Sequence, residues 1–270
     1  MQSFVEYQGC RFAFTQRGDG PPVVFIQGTG VHGAGWTPQV DALSAKFRCV
    51  TFDNRGMGLS QPLVGKLSVE QMAEDTLAVM NARGMSDAHL VGHSLGGLIA
   101  QQVALMARNR VRSLALLCSF TRGADATRLT RDLIMLGIRS RIGTRRMRRH
   151  AFLQIITPPA LYQQGDRDRM AEELALLFGH DLADYPKVVM KQMAAMTRCD
   201  LTPRVRELAG LPVLVIGAGL DRIARPAMVR ALAAAVPGAK LVEFPKAGHA
   251  LPIHCQTEVN ALLEDHFKRV

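Results

Sequence analysis

Residues 88–98 read AHLVGHSLGGL. An apolar run ends at Gly92, Ser94 follows two residues later, and a stretch suited to a helix begins directly after it. With Gly96, these residues form the pattern G-x-S-x-G, which carries a mechanism only where a strand turns sharply into a helix. Two interpretations compete. Ser94 belongs to an ordinary tight turn, or its hydroxyl is held exposed at the helix N-terminus, where the helix dipole favours developing negative charge.

Short apolar runs alternate with helix-type stretches along most of the chain, as expected for strands buried on both faces of a parallel sheet. The alternation predicts an α/β fold with a doubly wound, mostly parallel sheet. Residues 3–7 and 10–16 are predicted to add an antiparallel pair at its edge. The other predicted strands are VVFIQ (23–27), RCVTFD (48–53), AHLVG (88–92), SLALLC (113–118), PVLVIG (212–217) and KLVEF (240–244), and the predicted helices cover residues 37–46, 68–83, 95–108, 226–236 and 253–268.

The alternation is interrupted once, from Thr121 to about Arg206, where no strong strand pattern occurs. This stretch is helix-prone and rich in Arg and Met, and it is predicted to be a mainly helical insertion after the strand SLALLC. Ligands of open α/β sheets bind at the carboxyl ends of the strands, so an insertion there would cover the site. The predicted domains are a core of residues 1–120 and 207–270 and a helical cap of residues 121–206.

A serine hydroxyl is a weak nucleophile near neutral pH and needs a base within hydrogen-bonding reach. His249 lies in the loop after the strand KLVEF, at the sheet edge where Ser94 is expected. His254 follows inside a predicted helix and should point elsewhere. His93 adjoins the serine and is expected to face the opposite way along the backbone. The sequence therefore predicts His249 as the base.

The base in turn needs an acid that holds its imidazole in the correct tautomer. Asp221 lies in the loop after the strand PVLVIG, again at the carboxyl edge of the sheet. As the N-cap of the helix that begins around Pro226 it would stand several residues too early. The predicted catalytic residues are thus Ser94, Asp221 and His249, in the chain order of α/β-sheet triads.

Four segments together resemble the α/β-hydrolase superfamily: VGHSLGG, FDNRGMGLS, IGAGLDRIARP and AGHALP. They occur in the order of that family, and the resemblance covers nearly the whole chain. It implies an eight-stranded, mostly parallel sheet flanked by helices, with a helical cap inserted after the sixth strand. Residues 121–206 match that place and size. It also implies a serine hydrolase of the esterase/lipase type.

The same resemblance implies an oxyanion hole formed by the backbone N–H groups of Thr29 and Leu95. Thr29 lies in the segment QGTG (27–30), where family members usually have His-Gly and this chain has Gln27-Gly28. Gln27 either braces this loop or contacts the substrate. The segment Asp53–Gly56 resembles a structural loop of the family and is not predicted to be catalytic.

For two features of the expected pocket, the sequence does not decide between packing in the core and lining the binding pocket. Trp36, the only tryptophan, lies close enough to the oxyanion loop to wall the pocket, but packing in the core explains it equally well. Met190, Met193 and Met196 recur at helical spacing inside the predicted cap. Core packing is the default interpretation of such a stripe, and an adaptable apolar pocket is the alternative.

The resemblance implies that Ser94 hydrolyses a carboxylic ester of a small to medium, mainly apolar substrate through an acyl-enzyme. The same triad also serves cleavage of carbon–carbon bonds, lactones or thioesters, and peracid formation, and the motifs do not separate these. The serine argues against dehalogenases and epoxide hydrolases, which need an aspartate there. A capped ligand-binding receptor with a vestigial site is the alternative from another class. No metal or organic cofactor is predicted.

The net charge of +10 is concentrated in one part of the chain, because residues 121–210 hold 16 Lys and Arg against 10 Asp and Glu. The run RSRIGTRRMRRH (139–150) is interpreted as a solvated helix face. The alternative is a surface that guides anionic substrates or an acidic partner. Nucleic-acid binding is not predicted, since no recognised motif accompanies the charge. The expected partner is a small-molecule, ester-like substrate, and no oligomeric state is indicated.

The cysteines are odd in number and widely scattered, which favours reduced thiols in a cytoplasmic protein over disulfides or a zinc site. The first residues contain no apolar signal segment, and no apolar run reaches the roughly 18 residues that cross a bilayer. The sequence therefore predicts a cytoplasmic protein without an integral membrane segment.

Overall fold

The computed structural model describes residues 2–128 and 130–270, so Met1 in the predicted core and Leu129 in the predicted cap lie outside the described residues. Strands and helices alternate as the sequence predicts. The strands are β1 Gln2–Tyr7, β2 Cys10–Arg17, β3 Pro22–Ile26, β4 Arg48–Phe52, β5 Ala88–His93, β6 Val111–Leu117, β7 Val213–Ala218 and β8 Lys240–Phe244. The helices are α1 Thr37–Leu43, α2 Val69–Ala82, α3 Leu95–Met106, α4 Gly123–Ala126, α5 Arg131–Arg139, α6 Arg145–Ile156, α7 Pro159–Gln164, α8 Arg167–Phe178, α9 Val188–Arg198, α10 Pro226–Ala235, α11 Leu251–His254 and α12 Gln256–Phe267.

The eight strands form one sheet in the order β1-β2-β4-β3-β5-β6-β7-β8. The pairs β1–β2 and β2–β4 are antiparallel, and all other neighbours are parallel. Strands β3 and β7 are buried along their whole length and β6 at every position except Arg112, which explains why their sequences are largely continuous apolar runs rather than alternating ones. The predicted mostly parallel eight-stranded fold, including its antiparallel edge, is confirmed.

The predicted C-terminal helix 253–268 is wrong in one respect, because the structure has two helices there. The short α11 ends at His254, and Cys255 adopts φ −117° and ψ 36° before α12 begins. The predicted strands, by contrast, differ from the observed ones by at most two residues at either end.

Six helices, α4 to α9, lie between β6 and β7, and no strand of the sheet is found there among the described residues. Part of this helical segment has a small apolar core of its own, separate from the core around the sheet. Its buried members are Leu153, Ile156, Ala171, Leu174, Phe178, Leu182 and Ala250. Among residues 2–128 and 130–270, no helix is both long and apolar enough to cross a bilayer.

Candidate active site

Ser94 lies at a strained turn between β5 and α3. Its φ is +55°, a value that side-chain-bearing residues rarely adopt. The flanking glycines make the turn possible, because a Cβ on Gly92 would lie 2.3 Å from the carbonyl oxygen of Gly96. A Cβ on Gly96 would lie 2.0 Å from the carbonyl oxygen of Ile26. The G-x-S-x-G pattern therefore has the strand-to-helix context that gives it a mechanism.

Asp221 and His249 are joined by a hydrogen bond at the same edge of the sheet. The Nδ1 atom of His249 lies 2.7 Å from the Oδ2 atom of Asp221, and both residues are buried. The other carboxylate oxygen of Asp221 accepts hydrogen bonds from the backbone N–H groups of Ile223 (2.7 Å) and Ala224 (3.0 Å). The carboxylate is thus fixed on both sides, and the helix α10 begins only at Pro226.

Ser94 and His249 both line one cavity of about 260 Å³. The Ser94 hydroxyl forms no hydrogen bond within the described part of the chain. Because Nδ1 of His249 bonds Asp221, its Nε2 is the nitrogen free to act as a base. The wall is mostly apolar and draws on both the sheet region and the helical segment, including Val31, Leu133, Phe152, Ile155, Ile156, Phe178, Val189, Ile223 and Ile253.

His93 does not face away from the site, and that expectation is wrong. It lines the same cavity as Ser94, and its ring centroid lies 4.7 Å from that of His249. Its Nε2 atom lies 2.9 Å from the carbonyl oxygen of His249 and so holds the loop of that residue from behind. Burial and the neighbouring His249 lower the pKa of His93 to about 3, so the ring is neutral near pH 7. The positive φ of Ser94 redirects the chain after His93, and the sequence alone does not show this.

The predicted oxyanion loop lies directly against the serine. An added Cβ on Gly28 would lie 3.2 Å from the Cβ of Ser94, so a side chain there would be tightly packed against the serine. Thr29 follows it and lines the cavity. The backbone N–H groups of Thr29 and Leu95 have no hydrogen-bonding partner within residues 2–128 and 130–270. Leu95 is the first residue of α3, where backbone N–H groups are left free by helix geometry.

Gln27 both braces the oxyanion loop and lines the cavity. Its Nε2 donates to the carbonyl oxygen of Phe52, and its own carbonyl oxygen accepts from Asn54 at 3.2 Å. The neighbouring loop is structural, as predicted. Arg55 forms a buried bidentate ion pair with Asp75 on α2.

Two residues of the helical segment hold the oxyanion loop, and no sequence pattern indicated either of them. The Oε1 atom of Gln192 on α9 accepts a hydrogen bond from the Gly30 N–H at 2.9 Å. The Nε2 atom of His180 lies 2.8 Å from the Gly30 carbonyl oxygen, within hydrogen-bonding distance. Both contacts span about 150 residues or more, so no local pattern could reveal them.

Trp36 and two of the three methionines serve both packing and the cavity. Trp36 is buried with its ring centroid 5.3 Å from that of Phe25, and it also lines the cavity. Met193 and Met196 contact the main core and line the cavity as well. Met190 is exposed, so the predicted core stripe holds for only two of its members.

Cys118, at the end of β6, lies close to the site and is buried. Its sulfur lies within 4.8 Å of a ring nitrogen of His93 and of His249, a spacing that could hold a metal ion. Burial and the nearby Asp221 raise the pKa of the Cys118 thiol well above its usual value. To bind a metal ion, the thiol would have to lose its proton against the effect of burial and of Asp221. The residues therefore fit a metal site poorly.

The basic run 139–150 is partly neutralised by neighbouring acids of the same segment. Arg145 and Arg149 pair with Asp181, and Arg146 and His150 pair with Asp168. These arginines form ion pairs within the fold and are therefore not free cations. This supports the interpretation as a solvated helix face for the first turns of α6.

The chain was compared with known proteins. Residues 23–262 match the profile of the Alpha/beta hydrolase family, and the chain therefore belongs to this family. "Putative carbamate hydrolase RutD" of Klebsiella pneumoniae is 30% identical over 251 residues, which are 91% of this chain and 90% of the relative. "Putative non-heme bromoperoxidase BpoC" of Mycobacterium tuberculosis is 32% identical over 254 residues, with coverage of 88% and 90%. The solved enol-lactonase of Burkholderia xenovorans LB400 superposes with a TM-score of 0.82 at 25% identity, covering 98% of this chain and 100% of its own. The protein is thus a hydrolase of the α/β type.

Proposed function

We propose that this hydrolase cleaves carboxylic esters of small to medium, mainly apolar substrates through an acyl-enzyme on Ser94. The observation that supports this most is the 2.7 Å hydrogen bond between Nδ1 of His249 and the carboxylate of Asp221, beside a cavity that His249 and the strained Ser94 line. A serine and a histidine that line one cavity, with an acid bonded to the histidine, are the three groups that acyl transfer at a hydroxyl requires.

In the proposed reaction, the Ser94 hydroxyl attacks the ester carbonyl while Nε2 of His249 takes its proton. Asp221 stabilises the imidazolium that forms, and the N–H groups of Thr29 and Leu95 bind the tetrahedral oxyanion. Each such donor contributes about 3 kcal/mol to lowering the barrier. His249 then protonates the leaving alcohol, and a water activated by His249 hydrolyses the acyl-enzyme to release the acid.

The apolar cavity wall supports the substrate class. About 260 Å³ is at the small end of ligand cavities, and most of the wall consists of aliphatic and aromatic side chains. Residues 121–206 act as a cap in this proposal, because helices of that segment contribute Leu133, Phe152 and Met193 to the wall. Substrate selection therefore depends on the cap.

A lactone is the second candidate substrate, since ring opening uses the same serine, base and oxyanion donors. The likeness to the enol-lactonase favours it over carbon–carbon cleavage. A panel of linear p-nitrophenyl esters and simple lactones distinguishes the two candidates by their relative kcat/KM values.

The test of the proposed base compares His249→Ala with His254→Ala. His254 is also a buried-ring histidine in the next helical turn, but it does not line the cavity. We expect the kcat of p-nitrophenyl acetate hydrolysis to fall by roughly a thousandfold or more in His249→Ala. It should stay near the wild-type value in His254→Ala. Full activity of His249→Ala would remove His249 from the mechanism.

A further inference from the structure

The helix α5 and the turn after it carry an exposed apolar surface that the proposed chemistry does not use. Four large apolar side chains of this segment are exposed, and so is Met147 in the first turn of α6, with Ile142 at 67% and Met147 at 60%. We call this set the α5 surface; its members are Ile134, Met135, Ile138, Ile142 and Met147. The Met147 side chain lies against Gly143, which places it beside Ile142.

The same surface carries arginines without acidic partners. Arg131 and Arg139 are exposed on α5, and neither forms an ion pair among the described residues. Residues 131, 134, 135, 138 and 139 are spaced by three or four positions, so they share one face of the helix. Arg145 and Arg149, by contrast, are paired with Asp181. Two arginines without ion pairs therefore lie on the same helix face as the exposed apolar side chains.

The opposite face of α5 contributes to the candidate active site. Leu133 and Gly137 line the cavity that contains Ser94. One helix therefore has its inner face on the cavity and its outer face, apolar and basic, in solvent. Whatever binds the outer face lies within one helix diameter, about 10–12 Å, of the cavity wall.

We propose that the α5 surface binds the interface of an anionic lipid bilayer. Exposed aliphatic and methionine side chains flanked by arginines on one helix face are the combination that such an interface takes up, through apolar insertion and attraction to anionic headgroups. A second copy of this chain fits poorly, because a symmetric contact would place the same unpaired arginines against one another. Nucleic acid offers no partner for the exposed isoleucines.

The location of the α5 surface also bears on how a substrate reaches the cavity, and this point rests on the proposed function. An ester dissolved in the bilayer would be beside α5, the wall of the cavity, when the protein is bound. Membrane binding itself does not need the Ser94 hydroxyl. A Ser94→Ala variant therefore separates a failure of the binding proposal from a failure of the proposed chemistry.

The experiment is co-sedimentation of the full chain with vesicles of phosphatidylcholine alone or mixed with phosphatidylglycerol. We expect wild type and Ser94→Ala to partition equally onto the mixed vesicles, weakly onto the neutral ones, and less at high salt. Arg131→Gln with Arg139→Gln should lower partitioning by about 25-fold, or about fivefold for each arginine. Met135→Asp with Ile142→Asp should lower it at least tenfold. Leu176→Asp, at a 79% exposed site on α8, is the matched control and should bind like wild type.

Each double variant should hydrolyse p-nitrophenyl acetate like wild type, which shows that it is folded. Equal partitioning of wild type and both double variants would overturn the proposal, as would no binding to the mixed vesicles. A wild-type dimer that Met135→Asp with Ile142→Asp converts to a monomer would assign the surface to a second copy instead.

Discussion

At the scale of single residues, Ser94 has a strained backbone and is also the proposed nucleophile. A residue held in a rarely populated φ region costs of order 1–3 kcal/mol. At Ser94 the surrounding glycines and the hydrogen bond from its N–H to the Leu117 carbonyl oxygen hold that conformation. The strain is the structural reason why this position is a candidate for function.

Replacing Ser94 by glycine should therefore stabilise the fold while abolishing turnover. Glycine adopts φ +55° without a Cβ penalty, whereas Ser94→Ala keeps the penalty. We expect the melting temperature of Ser94→Gly to exceed that of Ser94→Ala by about 2–4 °C, for a difference of about 1 kcal/mol. Differential scanning calorimetry measures this. Equal melting temperatures would mean that the turn is not strained.

His89 predicts how stability depends on pH. It is buried on β5 with Nδ1 2.8 Å from the Ser113 hydroxyl, and burial followed by the nearby Arg112 lowers its pKa to about 4. In the unfolded chain its pKa is about 6.5, so between pH 6.5 and 4 the unfolded state binds more protons. The free energy of unfolding should then fall as the pH falls, by about 1.4 kcal/mol per pH unit from this residue.

The check is urea unfolding of wild type and His89→Asn at several pH values from 7 to 4.5. His93, whose pKa is also lowered by burial, acts in the same direction in both proteins. The loss of stability with falling pH should be shallower in His89→Asn by about the contribution of one proton. Parallel curves for the two proteins would exclude His89 as the source.

Residue-level prediction succeeded where one sequence pattern carries the geometry. The turn at Ser94 and the pairing of Asp221 with His249 lie where G-x-S-x-G and the two loops predict. The orientation of His93 was predicted wrongly, because its ring contacts the loop of His249, 156 residues further along the chain. The bracing of the loop by Gln192 and His180 depends on contacts between distant parts of the chain, and residue spacing carries no information on these.

At the scale of elements, α9 is coupled to the oxyanion loop. Gln192 is fully buried, and its side chain is the partner of the Gly30 N–H, one residue after the proposed oxyanion donor. Removing that acceptor leaves a buried N–H without a partner, which costs about 1–3 kcal/mol and loosens the loop. We infer that α9 contributes to catalysis through this loop without contacting the reacting atoms.

Gln192→Met should lower kcat for p-nitrophenyl acetate on the order of tenfold and leave KM nearly unchanged. The expected loss is smaller than the 10²–10³ that follows removal of an oxyanion donor itself, because Thr29 remains in place. Thr197→Val, on the same helix, is the control and should retain the wild-type kcat. A rise in KM at constant kcat would place Gln192 in substrate binding instead.

The strands and helices were predictable because strands and helices are buried in different patterns, and the sequence shows these patterns. Strands enclosed on both faces, such as β3 and β7, give apolar runs that stand out from amphipathic helices. The division of the C-terminal helix at Cys255 has no comparable signal, since apolar residues continue on both sides of it. In the segment between β6 and β7 the sequence predicts helices but not which of their faces line the cavity.

At the scale of the whole molecule, the sheet explains how distant residues meet. Strands β5, β7 and β8 run parallel within one sheet, so the loops after them emerge at the same edge. Ser94, Asp221 and His249 each follow one of these strands. Their approach is therefore a consequence of the topology, and this is why the sequence could predict it across 155 positions from Ser94 to His249.

The distribution of charge is the other property of the whole chain. Several basic side chains of the run 139–150 form ion pairs with Asp168 and Asp181. A count of charged residues in the sequence does not show this pairing. The arginines that remain unpaired on α5 accompany exposed isoleucines. More than half of the net charge of +10 belongs to residues 121–210, which hold 16 Lys and Arg against 10 Asp and Glu.

The most direct test of the proposed chemistry is hydrolysis of p-nitrophenyl esters of increasing acyl length by wild type and Ser94→Ala. We predict turnover by the wild type with an optimum at short to medium chains, as the cavity of about 260 Å³ implies. Ser94→Ala should lose activity by roughly a thousandfold or more. Turnover by Ser94→Ala at the wild-type rate would contradict the account, because the nucleophile would then be another group.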